Sequence, residues 1–192
     1  MVLTERQQQI VDISIELIAQ QGIQNLTIKN IARKAGFSEP ALYRHFASKF
    51  DIVMAMLESF QNISRFVLSE TEKEELDSIG KIEKFLFDRY QRFSANPAAA
   101  RVMFAEGLFM DDNRYSQRML DIMHQHAGSM QNIIREGQLK GELRTDIPAR
   151  EMFRIIFGSL RLLISQWCLA DYNFDLLLEG KLLWNAVRKM IC

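Results

Sequence analysis

The chain has 192 residues, 48% of them hydrophobic and 25% charged, with 24 basic side chains balancing 24 acidic ones. That is the make-up of an ordinary soluble globular protein of one generous domain or two small ones, and a neutral total excludes reading a nucleic-acid partner from bulk charge. Two cysteines, Cys168 and Cys192, offer neither a disulfide framework nor a metal-ligand spacing, so no metal and no cofactor is expected.

Apolar residues recur at three- and four-residue spacing almost throughout, and strand-like alternation is scarce. The chain therefore reads as all-α, with about nine helices. A first helix is predicted over residues 4–21, with Ile10, Leu17 and Ile18 facing inward and Gly22 ending it. Short helices follow at 28–35 and 39–45. Ser48 offers an N-cap to a longer helix running through residue 60 toward 68. The acidic run 70–77 reads as a solvated helix end or loop. A helix over 79–95 stops at Asn96-Pro97, where the next one opens and reaches about residue 110. Asp111, Asp112 and Asn113 separate it from a long helix ending near 139, and residues 141–148 form the last clear connector. Two closing helices span about 148–169 and 174–190. The most apolar stretch, 155–170, contains Arg161 and is short for a membrane span, so no membrane partner is expected. With Glu5 and Arg6 ahead of any long apolar run, no signal peptide is predicted and a cytoplasmic location follows.

The most informative segment is Leu26 to Phe46. It places Thr27 and Ser38 as N-caps of two short helices, joined by a turn whose Gly36 suits a left-handed backbone. Leu42 and Phe46 point to the core and leave Tyr43, Arg44 and His45 outward. Between residues 26 and 49, five basic side chains (Lys29, Arg33, Lys34, Arg44 and Lys49) stand against the single carboxylate Glu39. Such a segment is a helix-turn-helix whose second helix can enter the major groove of double-stranded DNA.

Over residues 10 to 57 this segment resembles the N-terminal domain of the TetR family of bacterial regulators. The resemblance is carried by Gly36, the capping residues, Leu42-Tyr43-Arg44-His45-Phe46 and Ser48-Lys49. It implies a three-helix DNA-binding domain over 1–48 and a helical effector and dimerisation domain over 49–192. It also implies roles. Thr27, Tyr43, His45 and Lys49 would contact phosphates, and Ser38, Glu39, Pro40, Ala41 and Arg44 would lie toward base edges. Arg44 is the candidate for a bidentate guanine contact.

Seven of the ten methionines fall between residues 52 and 130, among many phenylalanines. Methionine adapts to irregular shapes and aromatic walls suit flat or greasy ligands. By resemblance this region encloses an effector pocket, with Phe66, Phe85, Tyr90, Met103, Phe104 and Met123 as candidate lining residues. No cationic cluster is legible in the sequence, so a small apolar effector is expected. His124 and His126 lie two apart, on different faces of a helix, and make poor partners for one metal. The closing helices carry Phe153, Ile156, Phe157, Leu160, Leu163, Ile164 and Trp167, then Leu176, Leu177, Leu183, Trp184 and Val187. The resemblance implies a homodimer through these last two helices and a roughly palindromic operator. The expected function is a ligand-released, dimeric transcriptional repressor, found on the nucleoid when bound to DNA. The alternative is a nucleoid-occlusion type protein of the same family that acts through a protein partner. No nucleophile–base pair or phosphate-cradling loop points to an enzyme.

Overall fold

A computed structural model describes residues 3–110 and 112–192, and among them every regular element is a helix. In chain order these are α1 (Glu5–Gln21), α2 (Ile28–Ala35), α3 (Glu39–Tyr43), α4 (Lys49–Lys73), α5 (Ser78–Ala95), α6 (Pro97–Phe104), α7 (Asn113–Leu139), α8 (Ala149–Leu169) and α9 (Leu176–Ile191). Short 3-10 turns at Ile23–Asn25 and Glu106–Phe109 follow α1 and α6. Asp111, expected in the acidic connector, lies outside the described residues.

Most helix starts are set by a short polar side chain that satisfies an otherwise orphaned backbone donor. Thr4 caps α1 and forms a capping box with Gln7. Thr27 Oγ1 accepts from the Asn30 amide at 3.1 Å, and Ser48 Oγ accepts from Asp51 at 3.2 Å. Asp77, Asn96, Asp112 and Asp175 do the same for α5, α6, α7 and α9.

Three elements differ from their predicted form. The third helix ends at Tyr43, because the amides of His45 and Phe46 both turn back onto the Leu42 carbonyl and deliver Phe46 to the core. The sixth stops at Phe104, where the non-helical backbone of Ala105 starts a 3-10 turn that buries Phe109. The fourth runs on to Lys73, so the acidic run begins inside a helix.

The first core gathers Ile10, Leu26, Ile31, Leu42 and Phe46 with Ile52 and Met56 of α4, and it continues into α6 and α7 through Val102 and Ile122. The second lies among α5, α7, α8 and α9, around Phe85, Tyr90, Met130, Ile156 and Trp184. The N-terminal helices thus share apolar packing with α4, α6 and α7 and do not hang from a linker.

By length and composition α8 could cross a bilayer, and at 21 residues it outruns the short stretch expected. Its Met152, Ile156, Leu160 and Ile164 are nevertheless packed into the second core. Most residues singled out on α8 and α9 for a dimer contact are likewise interior, including Leu163, Trp167, Leu176 and Val187. The apolar side chains left exposed there are Leu162, Leu169, Leu178, Leu182 and Met190.

Candidate nucleic-acid interface and effector cavity

The helix-turn-helix geometry follows from three local features. Gly36 sits at φ +71°, ψ 27°, a left-handed conformation that costs a residue with a Cβ, and it closes α2. Ser38 Oγ accepts from the Ala41 amide at 3.3 Å and sets the start of α3. Leu42 and Phe46 are buried, which fixes the roll of α3. Thr27, Ser38, Glu39, Pro40, Tyr43 and Arg44 are exposed, while Ala41, His45 and Lys49 are half-buried. His45 stacks on Phe37 with centroids 6.3 Å apart, and its carbonyl accepts from Gln7 Nε2 of α1. Lys49 Nζ donates to the Ile23 carbonyl at 3.4 Å, tying the start of α4 to the 3-10 turn after α1. Lys34 pairs with Glu16 at 2.8 Å, so one of the five basic residues faces α1 and adds little to the positive face.

A cavity of about 540 Å³ lies among α5, α6, α7 and α8, a volume typical of small-molecule sites. Phe93, Met103, Phe104, Met119, Met123 and Phe157 supply apolar wall. Arg89, Arg150, Arg154, Arg161, His124 and His126 also line it. Arg89 and His126 are only 5% and 6% exposed, and Arg89 Nη2 and His126 Nε2 have no hydrogen-bond partner. Burial lowers the Arg89 guanidinium to about 10, opposed by the charge of Asp88 and aided by Arg92. Burial, then the charges of Arg89 and Arg65, push His126 down to about 4. At neutral pH the cavity therefore holds a buried cation beside a neutral imidazole.

Residues 10–56 match the profile "Bacterial regulatory proteins, tetR family", and residues 60–189 match "YsiA-like protein, C-terminal region". The chain belongs to the TetR family. Its relatives include the probable HTH-type transcriptional regulator ArpR of Pseudomonas putida, 29% identical over 182 residues that cover 90% of this chain and 85% of ArpR. The nucleoid occlusion factor SlmA of Actinobacillus pleuropneumoniae is 25% identical over 137 residues, covering 71% of this chain and 68% of its own. Among solved structures, the transcriptional regulator FadR of Bacillus subtilis in complex with stearoyl-CoA superposes with a TM-score of 0.83 at 20% identity, covering 94% and 96% of the two chains.

Of the six residues expected to line a pocket in this TetR-family chain, Met103, Phe104 and Met123 border the cavity and the other three do not. Phe66 points to solvent from α4. Phe85 lies beneath the Arg89 guanidinium, 4.9 Å from its ring centroid. Tyr90 is buried against Gly180 of α9. The expectation that no cationic cluster marks the pocket is overturned, because four arginines spread along α5 and α8 converge on one cavity only once the helices are packed. Cys168 is half-buried. His124 is exposed and His126 buried, as their spacing implies, and among the described residues no three His, Cys, Asp or Glu side chains form a metal-binding group.

Two links join the cavity walls to α4 and α1. Arg118 of α7 donates to Gln61 of α4, Gln61 donates to Gln125, and Arg65 Nη2 reaches the same Gln125 oxygen at 2.8 Å. Arg101 of α6 donates to the Ala19 carbonyl of α1 at 3.4 Å and to the Cys168 carbonyl of α8 at 3.2 Å.

Proposed function

We propose that this TetR-family regulator is a dimeric repressor, released from a roughly palindromic operator when a small molecule with an apolar body occupies the cavity among α5–α8. The observation that carries this reading is one helix doing two jobs. The helix α7 walls the cavity with Met119, Met123 and His126, and it is hydrogen-bonded through Gln125 to α4, which starts beside the recognition helix at Lys49.

In this reading residues 1–48 form the DNA-binding domain and 49–192 the effector and dimerisation domain. The backbone contacts are Thr27, Tyr43, His45 and Lys49, with Ser38, Glu39, Pro40, Ala41 and Arg44 toward the bases. The exposed apolar residues of α8 and α9, among them Leu162, Leu169 and Leu182, meet their counterparts across a two-fold axis. The stearoyl-CoA held by the B. subtilis FadR supports a ligand with an acyl-like body in this fold. A regulatory rather than enzymatic role, and a cytoplasmic location, fit relatives that are named as regulators.

Genome-wide binding of the protein in its host tests the reading. A few promoter sites are expected. Many dispersed sites, unresponsive to any small molecule, would favour the nucleoid-occlusion role for which SlmA is named.

A further inference from the structure

Arg89 is the one arginine lining the cavity that is nine-tenths buried. Its guanidinium lies over the Phe85 ring and its Nη2 atom finds no acceptor. The nearby Asp88 is engaged elsewhere, bonded to Arg92 Nε at 2.7 Å. His126 reaches the same cavity from α7 with an unpartnered Nε2. At the rim the charges are met differently, since Arg150 and Arg154 both pair with Glu151 at 2.9 Å. Among the described residues lining the cavity there is no Asp or Glu.

A buried, unpaired cation is costly, and that cost is relieved by an anion with matching hydrogen-bond acceptors. The planar edge of a guanidinium suits a carboxylate, and a neutral imidazole carrying its proton on Nε2 adds a second donor. The one cation enclosed in the inner wall matches the single charge of a carboxylate, whereas a neutral ligand would leave Arg89 uncompensated. Burial lowers the Arg89 pKa yet leaves it far above neutrality, so the charge is present when a ligand arrives.

We propose that the inner wall of the cavity is a carboxylate subsite, and that the ligand is an amphipathic monocarboxylate with its head on Arg89 and His126. Its apolar body lies against Phe93, Phe104, Met119, Met123 and Phe157. This rests on the effector-cavity reading above and narrows the chemistry of the effector.

Calorimetric titration of the full chain with dodecanoate, methyl dodecanoate and dodecanoyl-CoA tests it. Dodecanoate should bind the wild type about tenfold or more tighter than its methyl ester, as expected for a hydrogen bond to a charged group. In Arg89→Met that preference should vanish while the ester binds as before. His126→Phe should reduce it, and serves if Arg89→Met fails to fold. Equal binding of acid and ester to the wild type would overturn the carboxylate subsite while leaving the cavity as an effector site. Tighter binding of dodecanoyl-CoA than of dodecanoate would overturn the free carboxylate in favour of a thioester. Binding of none of the three would overturn both the subsite and the effector reading, with DNA binding intact.

Discussion

Gln61 and Gln125 join α4 to α7 by a direct side-chain hydrogen bond, and Gln61 is buried where it makes it. A displacement of α7 by a ligand must therefore carry α4 with it or leave the buried Gln61 amide unpaired, at about 1–3 kcal/mol. The variant Gln61→Leu removes the link while keeping the side chain's bulk. Operator affinity without ligand should stay within about threefold, and the ligand's effect on that affinity should shrink about tenfold, a typical coupling strength. Fluorescence anisotropy with labelled operator reads both quantities. An unchanged ligand response would place the coupling elsewhere, with the Arg101 link between Ala19 and Cys168 the next to cut.

Arg44 and Lys49 should fail in different ways. Arg44→Ala should lose about 1–3 kcal/mol of discrimination at particular base positions. Lys49→Ala should weaken binding to all sequences alike and reduce the slope of log K against log salt by about 1. Because Lys49 also holds the Ile23 carbonyl, its loss should lower the melting temperature slightly, which a thermal melt would detect.

The buried His126 makes stability depend on pH. Its folded pKa is pushed down to about 4, chiefly by burial, from an ordinary value of 6.5. Between those values the unfolded chain takes up a proton that the folded chain refuses, so stability falls as pH drops through that window. The full loss is about 3 kcal/mol. Urea melts at pH 7 and pH 4.5 should show it, and His126→Phe should flatten this part of the profile. A variant that loses as much stability as the wild type over the same range would assign the effect to other groups.

Two helical glycines should respond oppositely to alanine. A Cβ on Gly180 would lie 2.5 Å from Tyr90 Cε2, on a ring that is itself fully buried, so Gly180→Ala should destabilise by about 1–3 kcal/mol despite the better helix former. A Cβ on Gly128 meets nothing within 4 Å, and Gly128→Ala should stabilise by up to about 1 kcal/mol. Chemical denaturation of the two variants checks both signs.

The helix-turn-helix was legible because its determinants are local. Thr27, Gly36 and Ser38 act on backbone within four residues of themselves, and all three sit where spacing placed them. The cavity was half legible, since Met103 and Met123 reach one cavity only through the packing of α6 and α7 against α8. Arg89 and His126 did leave a trace in the sequence. Arg89 lies midway between the buried Phe85 and Phe93, and His126 midway between the buried Ile122 and Met130. Each is a polar residue four positions from apolar neighbours on an inward stripe, a pattern that signals function more sharply than any number of methionines. What the sequence could not show is that two such interruptions, 37 positions apart, open on one space. The proposed dimer face was hidden for a similar reason. Heptad-like apolar spacing on α8 and α9 does not distinguish residues that fill the subunit's own core, such as Trp167, from those left outside, such as Leu169.

Selection of genomic DNA fragments by the purified protein, followed by sequencing, tests whether it reads a specific operator. A small set of enriched fragments sharing an inverted repeat is expected, with half-sites about one helical turn or a multiple of it apart, and a relaxed repeat for Arg44→Ala. Uniform recovery of all fragments, abolished by moderate salt and identical for Arg44→Ala, would contradict it.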